Sequence, residues 1–359
     1  MISTRVLNRS VLARQSLLER VELPVVDAVE RLMGLNAQSP NLPYLALWAR
    51  LTGFGIDELT EAIVDRRLVR SVLMRGTQHL VSVPDFRLTR PAVAALLARA
   101  RRNVFGRRTD GVDLDAMVAA ARELLADGAV LTRPELGRRL AERFPVAESG
   151  ALGWSVQYLE PVVHPAPSGT WNVYGPTPFA SADWTGAGER ADLAELVRRY
   201  LAAFGPATVA DARAWSGVSG LREVFDALRP TLRVDRDEAG RELFDLPTAT
   251  LPSPDVPAPV RFLPEFDAPL LAYADRTRMM TDEVRARVCV GSGVAATVLV
   301  DGTVAAMWSL SYDSGAVALI VTPLRRLSSS DVEAVEAEGA RLLDFVEPRA
   351  RHDPLAWAE

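Results

Sequence analysis

"PATVADARAWSGVSGLREVFDALRPTLRVDRDEAGRELFDL", residues 206–246, reads as one short unit with its punctuation intact. Thr208 stands where a helix N-cap belongs, and Gly217 ends the helix that follows. A second helix runs to Pro230, whose ring stops it. The segment "RVDRDEAGRELFDL" then folds back at Ala239–Gly240 as a hairpin. Short helix, glycine turn, helix and hairpin is the order of a winged helix, the wing-bearing form of the helix-turn-helix.

Two upstream stretches repeat that order. In the first, "STRVLNRSVLARQSLLER", "LPVVDAVERLMG", "NLPYLALWARL" and "GIDELTEAIVDRR" carry helical spacing. "LVRSVLMRGTQHLVSV" then gives two strands around Arg75–Gly76. In the second, "DLDAMVAAARELLAD" is an amphipathic helix and "LTRPELGRRLAERF" a Thr132-capped one. "LGWSVQYLEPVV" supplies a third helix and "TWNVYGPTPFA" a strand.

The unit boundaries are therefore expected at 1–110, 111–187 and 188–250. Seven prolines between Pro247 and Pro269 predict a stiff connection. Beyond it, "VAATVLVDGTVAAMWSL" turns at Asp301–Gly302, "GAVALIVTPL" is a strand, and a serine-capped helix closes the chain. Residues 251–359 thus read as a small β-rich domain. The fold class is α+β, mainly helical, with three tandem winged-helix units before that domain.

Composition narrows the chemistry. All 41 basic residues are arginine, which removes the P-loop lysine and lysine Schiff-base mechanisms together. The only cysteine, Cys289 in "RARVCVGSG", reads as a buried thiol on a strand. Three scattered histidines give no metal-ligand spacing, so neither a metal nor a cofactor is expected. No apolar run spans a membrane and no secretory leader is visible, which predicts a cytoplasmic protein.

The net charge of −5 conceals an asymmetry: residues 1–108 hold 17 arginines and 9 acids, a balance of +8, leaving −13 for the rest. "RLTRPAVAALLARARRNVFGRR", residues 87–108, has seven arginines and no acid. That stretch, with Arg101, Arg102, Arg107 and Arg108, is either an exposed helix or a phosphate-attracting surface.

Asn36 and Gln38 in "GLNAQSPNLPY" are the candidate reacting groups. Pro40 disfavours helix at Ser39, so the segment is expected to stay extended, with both amides on one side. They either bond the local backbone or converge on one water. Arg75, Thr77 and His79, on the first wing, belong either to a solvated tip or to a DNA-contacting one. Asp275 and Arg276 form an ion pair or line a channel. Trp48, Trp154 and Trp215 read as core.

"LNAQSPNLPYLALWAR", "LMRGTQHLVSVPDF", "YLAAFGPATVADARAWSGV", "RFLPEFDAPLLAYADR" and "VLVDGTVAAMW" together resemble the AlkZ-like DNA glycosylases, also called the YcaQ-type or helix-turn-helix 42 family. The likeness runs from about residue 5 to about residue 347, in order. It implies three winged helices bent into a C around a basic channel, a monomer acting on double-stranded DNA. It also implies hydrolysis of the N-glycosidic bond of bulky or cross-linked alkylpurines, often as self-resistance to a DNA-alkylating antibiotic. The family's catalytic pattern is glutamine, an aliphatic residue, then glutamine or aspartate. Gln38 matches the last position and Ala37 the middle one; Asn36 departs at the first by one methylene. Ser39 lies beside the pair as a substrate contact. The rival function is a non-catalytic DNA-binding regulator or adduct binder.

Overall fold

The computed structural model describes residues 1–188, 190–313 and 315–358. It mixes helix and strand along the whole chain. The deciding stretch folds as read. Thr208 caps the helix Val209–Ser216 in a reciprocal box with Asp211, and Gly217 ends it at φ 75°. Leu221–Leu228 is the next helix, and Arg233–Arg236 pairs antiparallel with Glu242–Asp245.

Upstream, Leu68–Val72 and Gln78–Ser82 form the expected hairpin, and Leu35–Asn36 adds a third strand beside Gln78–Ser82. In the next region, Leu131–Thr132 and Val162–Val163 flank Pro178–Ser181. Two helices there, Arg133–Arg143 and Ser149–Leu159, cross unusually closely. A Cβ at Gly137 would lie 2.2 Å from the Ser149 carbonyl oxygen, and one at Gly153 2.6 Å from that of Arg133. Only glycine at both positions lets the backbones meet, and this sets Arg133 over the ring of Trp154.

The tail departs from its reading in two places. The proline-rich segment contains a strand, Arg261–Leu263, which joins the edge of a six-stranded sheet by pairing with Thr297–Val300. Three alternately placed residues between prolines are enough for an edge strand, where one ladder side is free. In "RARVCVGSG" only the first four residues are helical, the end of Asp282–Val288 capped by Thr281; half-buried Cys289 stands on a strand as read and opens a two-strand turn. The Asp301–Gly302 turn has φ of 49° and 77°, and Ser328 caps the closing helix Ser329–Val346.

One continuous apolar core runs through the first region, residues 193–244 and the tail sheet. Residues around Met117, Leu136, Leu152 and Phe179 make a separate core. The two bodies are stitched by backbone: the His164 N–H donates to the Arg70 carbonyl oxygen at 2.8 Å. Buried pairs fix the other seams. Arg50 is bidentate on Asp267, both fully enclosed, and Arg14 and Arg233 share Asp245.

Candidate active-site cleft

A cleft of about 510 Å³ opens where the first hairpin faces the helix Ser149–Leu159, and Gln38 lies on its wall, exposed. The strand carrying Asn36 ends at once. Ala37 N–H donates to the Gln78 carbonyl oxygen, and the chain then bends through Gln38 and Ser39 into the helix Leu42–Trp48. The segment is therefore a turn, not an extended run, because the Asn36 side chain competes for the backbone. Asn36 Oδ1 accepts the Gln38 N–H at 3.1 Å, an Asx turn. Asn36 itself faces a small hollow beside Arg50 and Asp267, with its Nδ2 unpaired. The two amides thus line different spaces. Ser39 is half-buried at the bend.

Arg70 holds this turn. Its Nε donates to the Ala37 carbonyl oxygen at 2.9 Å, Nη1 to Ser168 Oγ at 3.0 Å, and Nη2 to Gln78 Oε1. All its partners are neutral, and burial lowers the guanidinium to about 10. From the opposite side Asn41 and Asn172 clasp: Asn41 Nδ2 donates to Asn172 Oδ1 at 2.7 Å, and Asn172 N–H to Asn41 Oδ1 at 2.8 Å. The far wall carries Arg133, 3.6 Å above the Trp154 ring, with Gln157, Tyr158 and Tyr174 beside it. No carboxylate or histidine lines the cleft among the described residues.

The first hairpin tip does not stand free in solvent. Arg75, in the left-handed region at φ 56°, donates to the Trp215 carbonyl oxygen. Burial, and then Arg276, lowers it to about 10. His79 is enclosed, its Nδ1 2.9 Å from the Thr77 carbonyl oxygen. Burial, with Arg75 nearby, drives it down to about 3, so it is uncharged at neutral pH. Thr77 reaches the cleft, although its hydroxyl donates to the Met74 carbonyl oxygen at 3.1 Å.

The arginine-rich stretch divides. Arg101 is buried, donating to Ser155 and Thr109 between the two helices, which removes it from any phosphate. Arg102 and Arg107 are exposed, while Arg108 is engaged by Glu148. Asp275 and Arg276 do not pair with each other. Asp275 bridges to Arg241, and Arg276 Nη1 lies 3.1 Å from Cys289 Sγ. Trp48 and Trp215 are core as read, but Trp154 is partly exposed at the cleft.

Sequence reasoning placed Gln78 on the first wing, where it lines the cleft, but missed Arg70 and Arg133 and read Trp154 as core. The available signal for Arg70 was an arginine inside the apolar run "LVRSV", where a charge needs partners. For the others only the fold brings them to Gln38.

The same chain is similar throughout to known proteins. Over 362 aligned residues, covering 92% of both sequences, it is 28% identical to the "Interstrand DNA cross-link repair glycosylase" of Streptomyces sahachiroi. The solved structure of Streptomyces sahachiroi DNA glycosylase AlkZ superposes with a TM-score of 0.78, at 26% identity and 99% coverage of each chain. A family profile described as DNA glycosylase AlkZ-like matches residues 29–345. With that match spanning most of its length, the chain belongs to the AlkZ-like DNA glycosylases.

Proposed function

We propose that this protein is a monofunctional DNA glycosylase that releases bulky or cross-linked N-alkylated purines from double-stranded DNA. In this reading it works as a cytoplasmic monomer built from winged-helix units 1–110, 111–187 and 188–250, with residues 251–359 as a bracing domain. The observation that carries the reading is a cleft furnished with amides, guanidiniums and aromatic rings and, among the described residues, without an acid.

That furnishing suits one kind of leaving group. An N7-alkylated purine is already cationic, so its departure needs no proton from the enzyme. The C1′–N9 bond breaks with its electron pair passing to the purine, which becomes neutral. Water oxygen then bonds to C1′ and sheds its proton to solvent. The protein has only to place that water and shelter the developing cation.

Gln38 is the group we assign to the water, through its side-chain oxygen. Asn36 acts one step back: by accepting the Gln38 N–H it sets the turn from which the Gln38 side chain projects. Among the described residues no carboxylate contacts Arg133, and its face is stacked on Trp154. Its donors are suited to a phosphate of the lesion strand. Arg102 and Arg107 extend the basic surface. With no lysine in the chain, an amine-dependent strand nick has only the N-terminus to use, so the product is an abasic site.

Incubation with duplexes carrying 7-methylguanine or a bulky N7 adduct, followed by alkaline cleavage, tests the assignment. Alkali-labile product without a spontaneous nick supports it. Binding without release would instead make the protein a non-catalytic adduct reader, the reading that the commitment of Asn36 to its own loop favours.

A further inference from the structure

A second cavity, of about 550 Å³, lies on the other flank of Arg70, between the first region and residues 125–184. Its volume falls in the range of about 300–1,000 Å³ typical of small-molecule sites. Three large apolar side chains stand in solvent at its lining: Val64, Val130 and Trp184, at 56%, 51% and 43% exposure. Scattered exposed apolar residues need no explanation, but three around one hollow form a patch.

The same cavity is lined by His164, which is 2% exposed and has no hydrogen-bond partner at either ring nitrogen. Its ring is stacked on Phe179, centroids 5.3 Å apart and 13° from parallel, which fixes its plane. Burial, and then Arg70 and Arg133, hold the imidazole well below its usual range, hence neutral. A neutral imidazole presents one N–H and one bare nitrogen. Buried polar groups of this kind are seldom left unpaired.

The charges around the space cancel, with Arg66 and Arg70 against Asp127 and Asp183, so nothing selects an ion. At the rim the Arg66 guanidinium lies 5.6 Å from the Trp184 ring centre, a flat surface for stacking.

We propose that this cavity is a second binding site, taking an uncharged, planar aromatic molecule whose hydroxyl pairs with His164. It does not depend on the glycosylase assignment, since Gln38 lies in the other cleft.

Calorimetric titration of the full chain with 7-hydroxycoumarin in mildly acidic buffer, against 7-methylcoumarin as the isostere without a hydroxyl, reads the site. Saturable single-site binding is expected, stronger for the hydroxyl compound by about tenfold. Val130→Trp, a change at an exposed position, should narrow the mouth and weaken binding by at least about tenfold. His164→Phe, which keeps the stack on Phe179, should reduce 7-hydroxycoumarin to the affinity of 7-methylcoumarin. No saturable binding, or an affinity that Val130→Trp leaves unchanged, overturns the site. Undiminished preference for the hydroxyl in His164→Phe overturns the role of His164. Gln38→Ala should bind the probe like the native chain, so loss of glycosylase activity and loss of this site are separable.

Discussion

Arg70 Nε donates to the carbonyl oxygen of Ala37 at 2.9 Å, one residue before Gln38. A strand residue of the first hairpin therefore fixes the backbone of the turn that presents the Gln38 amide. The same guanidinium reaches Gln78 and Ser168, so the turn, the hairpin and the neighbouring region are held by one side chain.

Arg70→Met keeps much of the volume and removes all three bonds. Single-turnover release of a bulky N7 adduct should slow by about tenfold or more, and unfolding free energy should drop by about 1–3 kcal/mol. Arg70→Lys, with a compact ammonium in place of the fork, should restore only part of the rate. A rate equal to native in a destabilised Arg70→Met would make Arg70 a purely structural residue.

Among the described residues no carboxylate, histidine or thiol lines the cleft. Arg70 sits at about 10 and the neighbouring His79 at about 3. The rate on a cationic lesion should therefore be flat from about pH 5 to about pH 9. For a neutral lesion such as hypoxanthine, whose departure needs protonation, the rate should be lower by at least about 100-fold, the scale of general acid catalysis. A pH–rate limb inside that window would reveal an acid or base that the cleft does not display.

Asp85 reports how the helix Leu193–Phe204 docks on the first region. Arg199 Nη1 lies 2.9 Å from its carboxylate, yet burial dominates and, with Glu30 adding, pushes the carboxyl up from 3.8 to about 6. The folded chain thus binds this proton more tightly than the unfolded one. Stability from this group is greatest below about pH 4 and falls as pH rises through about 6. Urea unfolding of Asp85→Asn should lose up to about 3 kcal/mol of the native pH dependence across that window. Identical slopes for the two proteins would contradict it.

Arg133 is assigned to a lesion-strand phosphate. Arg133→Gln should weaken duplex binding and reduce the salt slope of log K by about one. Arg133→Lys should recover the slope but not the affinity, because the planar face over Trp154 is lost. An unchanged slope in Arg133→Gln would place the phosphates elsewhere.

What the sequence disclosed was local. The Thr208 cap, the serine cap of the closing helix and the Asp301–Gly302 turn are short-range signals written in adjacent letters, and each is found; their reciprocal partners Asp211 and Asp331 appear only in the structure. The edge strand Arg261–Leu263 was hidden because its ladder partner, Thr297–Val300, lies far along the chain. Arg75 reads either as a solvated tip or as a DNA-contacting one, since nothing near it in sequence announces Trp215, 140 residues away, as its acceptor. At the site, the bend after Asn36 was missed because an Asx turn competes with the extended geometry that Pro40 favours. Arg133 and Trp154 meet Gln38 only through the docking of two regions with separate cores.

The central claim is that a carboxamide at Gln38 places the water that replaces a cationic purine. Single-turnover release of 7-methylguanine or a bulky N7 adduct by Gln38→Ala, with duplex affinity measured on the same preparation, tests it most directly. Release reduced by at least about 100-fold with affinity within about twofold of native is the predicted result. Release at the native rate would contradict it.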